Sequence, residues 1–282
     1  MAQYCDLHTH SCFSDGTCTP AEILKNAASL GLSAVALTDH NTIAGLPEFL
    51  AAARGGAVQA IPGVEISTQY GDMELHIVGL FLDPTHFDEV TSLLAHFNRK
   101  KEESNRQLIL ALRRAGYALD YDEICHSHPE GTVNRATIAA GLLAEGYVSS
   151  VNEAFQTLLS KHSGYYIPPE RLSAFDAIAF LRGIQAVPVL AHPFLNLKEE
   201  GTLRQFLTEA IPHGLAAMET LYPAFTPETT ALARQISREF GLAESGGSDF
   251  HGETKPHISL GTGKGTLAVP AAFAEILQTL TK

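Results

Sequence analysis

The chain is poor in cysteine. Its four, Cys5, Cys12, Cys18 and Cys125, form no CxxC pair, so neither a disulfide framework nor a thiolate metal knot is expected, and all four read as reduced thiols. Long apolar runs are also missing. Nothing approaches the 18 or more residues of a membrane span, and the opening Met1-Ala2-Gln3-Tyr4-Cys5-Asp6 lacks a basic stretch followed by an apolar one. A soluble cytoplasmic protein is the expectation, with no membrane partner. Charge is sparse as well, 18% of residues against 45% hydrophobic, a balance that excludes disorder as the main state of 282 residues.

Cations are missing from one region altogether. From Gly55 to Asn98 there is no Lys or Arg, although Glu65, Asp72, Glu74, Asp83, Asp88 and Glu89 lie there. Between Arg99 and Arg171 nine basic residues balance nine acidic ones, so the net charge of −12 belongs wholly to the rest of the chain. Such a surface repels polyanions, and an extended nucleic-acid duplex is excluded as a partner. An anionic ligand then needs metal ions or local cations to hold it.

What is present is an alternation of short apolar runs and helical segments. Tyr4 to His8 reads as a strand, and Thr19-Pro20-Ala21-Glu22 opens a helix with a cap, a first-turn proline and a glutamate three residues on. Ala34 to Thr38, Val58 to Val64 and Leu75 to Phe81 read as further strands, with a helix from near Pro47. A long helical pattern runs from Phe87 to Ala115, and two more helices start at Asn134 and at Ser150. Alternation resumes with a helix from Ala174 to Arg182, strands at Val187 to Ala191 and Leu215 to Leu221, a helix from Thr226-Pro227, and an extended Leu242 to Ser245. About seven strand–helix units result, which points to an α/β fold, a TIM-like barrel carrying a helical insertion. An open doubly wound sheet is less favoured, because no GxGxxG turn follows the first strand.

Metal-capable side chains recur where these strands end: His8, His10 and Asp15; Asp39 and His40; Glu65; His76; His192; Asp249 and His251. A barrel gathers its strand ends on one face, so these distant positions can share a site. In extended backbone His8 and His10 point the same way, as do Asp249 and His251. Each alone has an ordinary structural reading, a capping Glu65 or a turn at His192-Pro193. Together they would be costly to bury without counter-charge, and divalent metal ions are the economical one. Mixed imidazole and carboxylate ligation suits Zn²⁺, Mn²⁺ or Fe²⁺. Serine-hydrolase and NTPase signatures are missing, since Gly246-Gly247-Ser248 has no nucleophile-elbow context and no Walker turn occurs. His126-Ser127-His128 reads as a solvated loop.

Asp6-Leu7-His8-Thr9-His10-Ser11 with Ser14-Asp15-Gly16, Thr38-Asp39-His40-Asn41, Gly63-Val64-Glu65-Ile66, Ala191-His192-Pro193 and Gly247-Ser248-Asp249-Phe250-His251 resemble, in order, the motifs of the PHP family, the polymerase and histidinol phosphatase domains. The resemblance implies a distorted TIM-like (β/α)7 barrel over residues 1–98 and 171–282, with residues 99–170 as a helical insertion, or cap. It implies phosphoester hydrolysis with two or three divalent metals, Mn²⁺ foremost and Fe²⁺ or Zn²⁺ as alternatives. One ion would take His8, His10, Glu65 and Asp249; a second would share Glu65 and add His76 and His192; a third would use Asp15, His40 and His251. Many relatives have histidine where Asp15 stands, and an oxygen ligand there can favour a different metal. Asp39 is expected to orient rather than ligate.

The insertion resembles that of small PHP phosphoesterases of the RNase AM type, which act on nucleoside 3′,5′-bisphosphates and the 5′ ends of short RNAs. Asn134, Arg135 and Lys161 are then expected to bind substrate, Arg135 as a fork on phosphate at a helix N-terminus. A metal-activated water, its pKa lowered from about 15.7 towards 7, would be the nucleophile, with His192 or His251 assisting proton transfer. Removal of a nucleotide 3′-phosphate follows as the expected activity. The alternatives are a histidinol phosphate phosphatase and a non-catalytic PHP module.

Overall fold

The computed structural model describes residues 3–127 and 133–281. Tyr4–Asp6 forms β1, Pro20–Ser29 α1, Ala34–Leu37 β2, Leu46–Ala52 α2, Gln59–Tyr70 β3 and Met73–Leu80 β4. Phe87–Arg114 is the long helix α3, followed by α4 (Tyr121–Ser127), α5 (Arg135–Ala144) and α6 (Val151–Gln156). Then come β5 (Leu172–Ser173), α7 (Ala174–Gly183), β6 (Val187–Leu190), α8 (Pro193–Asn196), α9 (Glu200–Ala210), β7 (Ala217–Leu221), α10 (Pro227–Glu239), β8 (Ala243–Gly246), β9 (Val269–Pro270) and α11 (Ala271–Gln278).

The strands form one sheet in the order β8-β7-β6-β4-β3-β2-β1-β9, with β5 beside β3. Its two ends nearly meet. Leu7 N donates to Gly246 O at 3.2 Å, Asp249 N to His8 O at 2.9 Å and His10 N to Phe250 O at 2.9 Å, so the segments after β1 and β8 close a barrel. Gly247 makes that approach possible, because a β-carbon there would stand 2.4 Å from the His8 Cβ.

The expected count of strand–helix units needs one correction. β3 and β4 are joined by a two-residue hairpin at Gly71-Asp72, and β4 runs antiparallel to both β3 and β6, so no crossover helix separates them. This is the distortion of the barrel. Both strands also extend into the turn, β3 past Val64 to Tyr70 and β4 back to Met73, because the pairs Glu65↔Val78 to Tyr70↔Met73 continue the ladder where polar residues interrupt the apolar pattern.

Inward positions alternate along each strand, Ala34 and Ala36, Val78 and Leu80, Val187 and Val189, and meet in one buried cluster with Leu7, Ile61 and Ala217. Phe273, Ala274 and Leu277 of α11 join it. Helix α1 begins as read: Thr19 accepts from Glu22 N, Glu22 returns to Thr19 N, and Pro20 is the first helical residue. The four cysteines are free thiols. Among the described residues no helix is long and apolar enough to cross a membrane.

The chain divides into two compact units, Met1–Thr91 with Leu172–Lys282, and Ser92–Arg171. The second has its own core, in which Leu108, Ile109 and Leu112 of α3 pack with Ile124, Ile138, Leu142, Leu159 and Tyr166. Each fully buried Leu or Ile contributes about 1.5–3 kcal/mol. The division falls inside α3.

Candidate active site

Thr9 is the pivot of the first motif. Its Oγ1 donates to Ala36 O at 2.5 Å, and its backbone oxygen accepts from Thr38 N at 2.9 Å. With Thr9 pinned on β2, His8 and His10 fall on one side, their ring centroids 5.1 Å apart. Glu65 pairs backbone to backbone with the second motif: Asn41 N donates to Glu65 O at 2.8 Å and Glu65 N to Asp39 O at 3.1 Å. Asp249 differs from expectation. It has φ 54°, outside extended geometry, so it and His251 reach the site from a segment with a left-handed residue and not by simple strand alternation. His192 has φ 29°. Two side chains of the cluster thus sit on strained backbone, as held functional residues often do.

All nine predicted metal ligands converge. Glu65 lies at the centre, its Oε1 2.8 Å from His76 Nδ1 and 3.0 Å from His192 Nε2. Its Oε2 lies 2.9 Å from His40 Nδ1, 3.2 Å from His8 Nε2 and 3.3 Å from His10 Nε2. Asp249 Oδ1 is 3.3 Å from His10 Nε2 and 3.8 Å from His8 Nε2, and Asp15 Oδ1 is 3.2 Å from His251 Nε2. Possible ligand atoms fall into overlapping groups: His10, Asp15, His40 and His251; His8, His10 and Asp249; His8, Glu65 and His192; His40, Glu65 and His76. Shared members make these one continuous cluster.

The donor set fits divalent cations. His8 Nε2, both nitrogens of His10, His40 Nδ1, His192 Nδ1 and Glu65 Oε2 are buried and make no hydrogen bond among the described residues, a cost that lone-pair donation to metals removes. Burial would push the Glu65 carboxyl up, but His40, His8 and His76 overcome it and hold Glu65 well below the usual carboxylate range. Burial is likewise outweighed at Asp15 by His40 and His251, and at Asp249 by His251, His10 and Lys255, and both are held low. Against burial, Glu65 and Glu219 raise His8, and Glu65 pushes His76 up to about 10. His10 goes the other way, lowered by burial and by the charges of His251 and His40.

Several supporting residues escape the sequence reading. Glu219, buried on β7, accepts from His8 Nδ1 at 2.8 Å and from His192 N at 2.6 Å. It fixes the proton of His8 on Nδ1 and turns Nε2 to the cluster. Asp6 accepts from Ser248 N and Gly261 N, each at 2.8 Å, tying β1 to the loop that carries Asp249. Tyr222 Oη and Lys255 Nζ donate to Asp249 Oδ2 at 2.7 and 2.8 Å. One signal was legible: Glu219 is the single acid in an apolar strand, Ala217-Met218-Glu219-Thr220-Leu221. Asp39 accepts from Ser11 N, Ser11 Oγ and Ser14 Oγ at 2.6–2.7 Å, which orders the loop before Asp15.

The three expected substrate residues lie in the second unit. Asn134 is the cap of α5, its Oδ1 accepting from Thr137 N at 2.9 Å. That cap fixes Arg135 as the first helical residue, with its guanidinium 4.6 Å from the Tyr166 ring centre and 5.6 Å from that of Phe155. Lys161 does not end a helix. α6 stops at Gln156, and Lys161 is exposed in a separate turn. Of His126-Ser127-His128, His126 closes α4 with Nδ1 2.5 Å from Asp122 O, which replaces the solvated-loop reading there; His128 lies outside the described residues.

Comparison with known proteins gives the family. Residues 6–167 match the PHP domain. The chain is 32% identical over 251 residues to a 5′-3′ exoribonuclease of Haemophilus influenzae, covering 89% of this chain and 91% of that protein. It is 29% identical over 248 residues to a 3′,5′-nucleoside bisphosphate phosphatase of Chromobacterium violaceum, covering 87% and 86%. A Bifidobacterium adolescentis protein, whose crystal structure is named as a metal-dependent phosphoesterase, superposes with a TM-score of 0.85 at 28% identity, over 99% of this chain and 97% of that one. The cluster of imidazoles and carboxylates thus has its explanation: the chain belongs to the PHP domain family and is a metal-dependent phosphoesterase.

Proposed function

We propose that the enzyme removes the 3′-phosphate of nucleoside 3′,5′-bisphosphates, converting adenosine 3′,5′-bisphosphate to AMP and phosphate, and that it also acts on the 5′ ends of short RNAs. The observation that carries the reading is Glu65, a buried carboxylate ringed at 2.8–3.3 Å by five imidazoles, which is suited to bridging metals. His8, His10, Asp15, His40, Glu65, His76, His192, Asp249 and His251 would hold two or three divalent ions, Mn²⁺ foremost. Bound there, such ions neutralise charge on a phosphoryl group and supply a nucleophilic water at neutral pH.

The chain's own residues do the positioning. Glu219 orients His8 and holds the backbone of His192. His192, whose Nε2 lies 3.0 Å from Glu65 Oε1, or His251 is the residue we assign to assist proton transfer to the leaving 3′-oxygen as the P–O bond breaks and a water oxygen replaces it. Arg135, capped by Asn134, and Lys161 are the cations we assign to the non-reacting 5′-phosphate. The equal numbers of acids and bases between residues 99 and 171 support a second anionic group on the substrate over the cationic amine of histidinol phosphate. The two curated relatives, named for bisphosphate and RNA substrates, support the same choice.

Phosphate release by the Mn²⁺-loaded enzyme tests this, comparing adenosine 3′,5′-bisphosphate with AMP, histidinol phosphate and short RNA. AMP and phosphate are the products expected. A higher kcat/KM for histidinol phosphate overturns the substrate assignment, and adenosine 3′-phosphate as product overturns the orientation.

A further inference from the structure

Asp249 presents its two oxygens to different surroundings. Oδ1 faces the imidazoles of His10, His251 and His8 at 3.3, 3.4 and 3.8 Å. Oδ2 faces away, to Tyr222 Oη at 2.7 Å and Lys255 Nζ at 2.8 Å. The backbone is tied as well: Asp249 N donates to His8 O at 2.9 Å, and Asp249 O accepts from His251 Nδ1 at 2.8 Å. These bonds hold a residue with φ 54°, in the left-handed region that few non-glycine residues occupy. A carboxylate with two donors on one oxygen has lost the rotation that would let both oxygens reach the cluster.

We infer that Tyr222 and Lys255 are positioning residues that clamp Asp249 through Oδ2, so that Oδ1 alone is offered to a divalent cation. This rests on the metal-binding reading above and adds two residues to it. They come from separate segments. Tyr222 follows β7, and its ring lies 5.4 Å from both the His192 and Phe225 rings. Lys255 belongs to the loop after His251, and that loop is anchored independently where Glu253 N donates to Thr17 Oγ1 at 2.9 Å. The clamp therefore fastens β7, the loop after β8 and the first motif to a single carboxylate. It also divides labour: Tyr222 supplies orientation without charge, whereas Lys255 supplies a donor together with a positive charge that opposes a nearby cation.

That difference makes the inference testable by Mn²⁺ titration calorimetry on the full-length, chelator-stripped protein. Wild type, Tyr222→Phe, Lys255→Met, Lys255→Arg and the Tyr222→Phe/Lys255→Met double variant are compared, with melting of the metal-free proteins as a check on folding. Tyr222→Phe keeps the ring against His192 and should weaken the Asp249-containing site about ten- to a hundredfold, the range for loss of a partner that orients a ligand. Lys255→Met should lose less, because it also removes a repelling charge, and Lys255→Arg should bind as wild type. The double variant should be the weakest. Hydrolysis of p-nitrophenyl phosphate should recover in Tyr222→Phe as Mn²⁺ is raised, a loss in metal affinity rather than in kcat. Wild-type Mn²⁺ affinity in Tyr222→Phe and in the double variant overturns the clamp, as does a lowered metal-free melting temperature with unchanged affinity. If wild type itself binds no Mn²⁺, the metal reading fails and the clamp with it.

Discussion

Glu65 tests the site most directly because so much converges on it. Its two oxygens face five imidazoles, and removing them leaves the rings of His76 and His192 without their carboxylate partner. Glu65→Ala should therefore lower bound metal and turnover together while the fold remains, checked by elemental analysis and circular dichroism. Unchanged metal content in that variant, or wild-type turnover after exhaustive chelation, would sink the metal reading. The nine residues that meet here were legible because each stands in or shortly after a recognisable strand, Glu65 inside β3 and His76 inside β4. Tyr222, Lys255 and Asp6 were not, since each acts through a hydrogen bond that the strand pattern does not announce: Lys255 reaches Asp249 from six positions away, Tyr222 from 27, and Ser248 donates to Asp6 across 242.

Legibility of an element follows its chemistry at the ends. Helices α1, α5, α6 and α10 start at Thr19, Asn134, Ser150 and Thr226, each of which caps through its side chain, and all four starts can be read from the sequence. Helices α9 and α11 follow Glu199 and Pro270, which make no such bond, and they leave no comparable mark. At this scale α5 carries its own prediction. Asn134 sets Arg135 at the first turn, and Arg135→Ala should lose about 1.5–3 kcal/mol of charge-assisted hydrogen bonding, roughly ten- to a hundredfold in kcat/KM for a bisphosphate. Lys161→Ala should lose less, as a point charge on an exposed turn. p-Nitrophenyl phosphate has no second phosphate, so its hydrolysis should barely change in either variant. Equal losses on both substrates would place these residues at the reacting phosphate or in the folding of the insertion, where Arg135 also packs on Tyr166.

For the whole molecule, the cluster couples stability to pH and to metal. Before a cation binds, Asp15, Glu65 and Asp249 are held well below the usual carboxylate range by the surrounding imidazoles, against the burial that would raise them. Their contribution is present above the unfolded carboxylate range and is lost as pH falls through the folded values. His8 and His251 are raised and His76 is pushed up to about 10, carboxylate charge outweighing burial in each. Their contribution is complete below the ordinary histidine value of about 6.5 and is lost as pH climbs towards the folded values. Metal reverses the upper limb. A ligating imidazole must be deprotonated, so a cation has to displace these protons, and its affinity rises with pH. His10, lowered by burial and by its charged neighbours, needs no such displacement. The difference in melting temperature between the Mn²⁺-loaded and chelated protein should accordingly be small near pH 5.5 and widen towards pH 8, with proton release on Mn²⁺ binding visible in weakly buffered calorimetry. A gap that stays constant or narrows over that range would mean that these imidazoles do not give up protons to the metal, and that the carboxylates alone hold it.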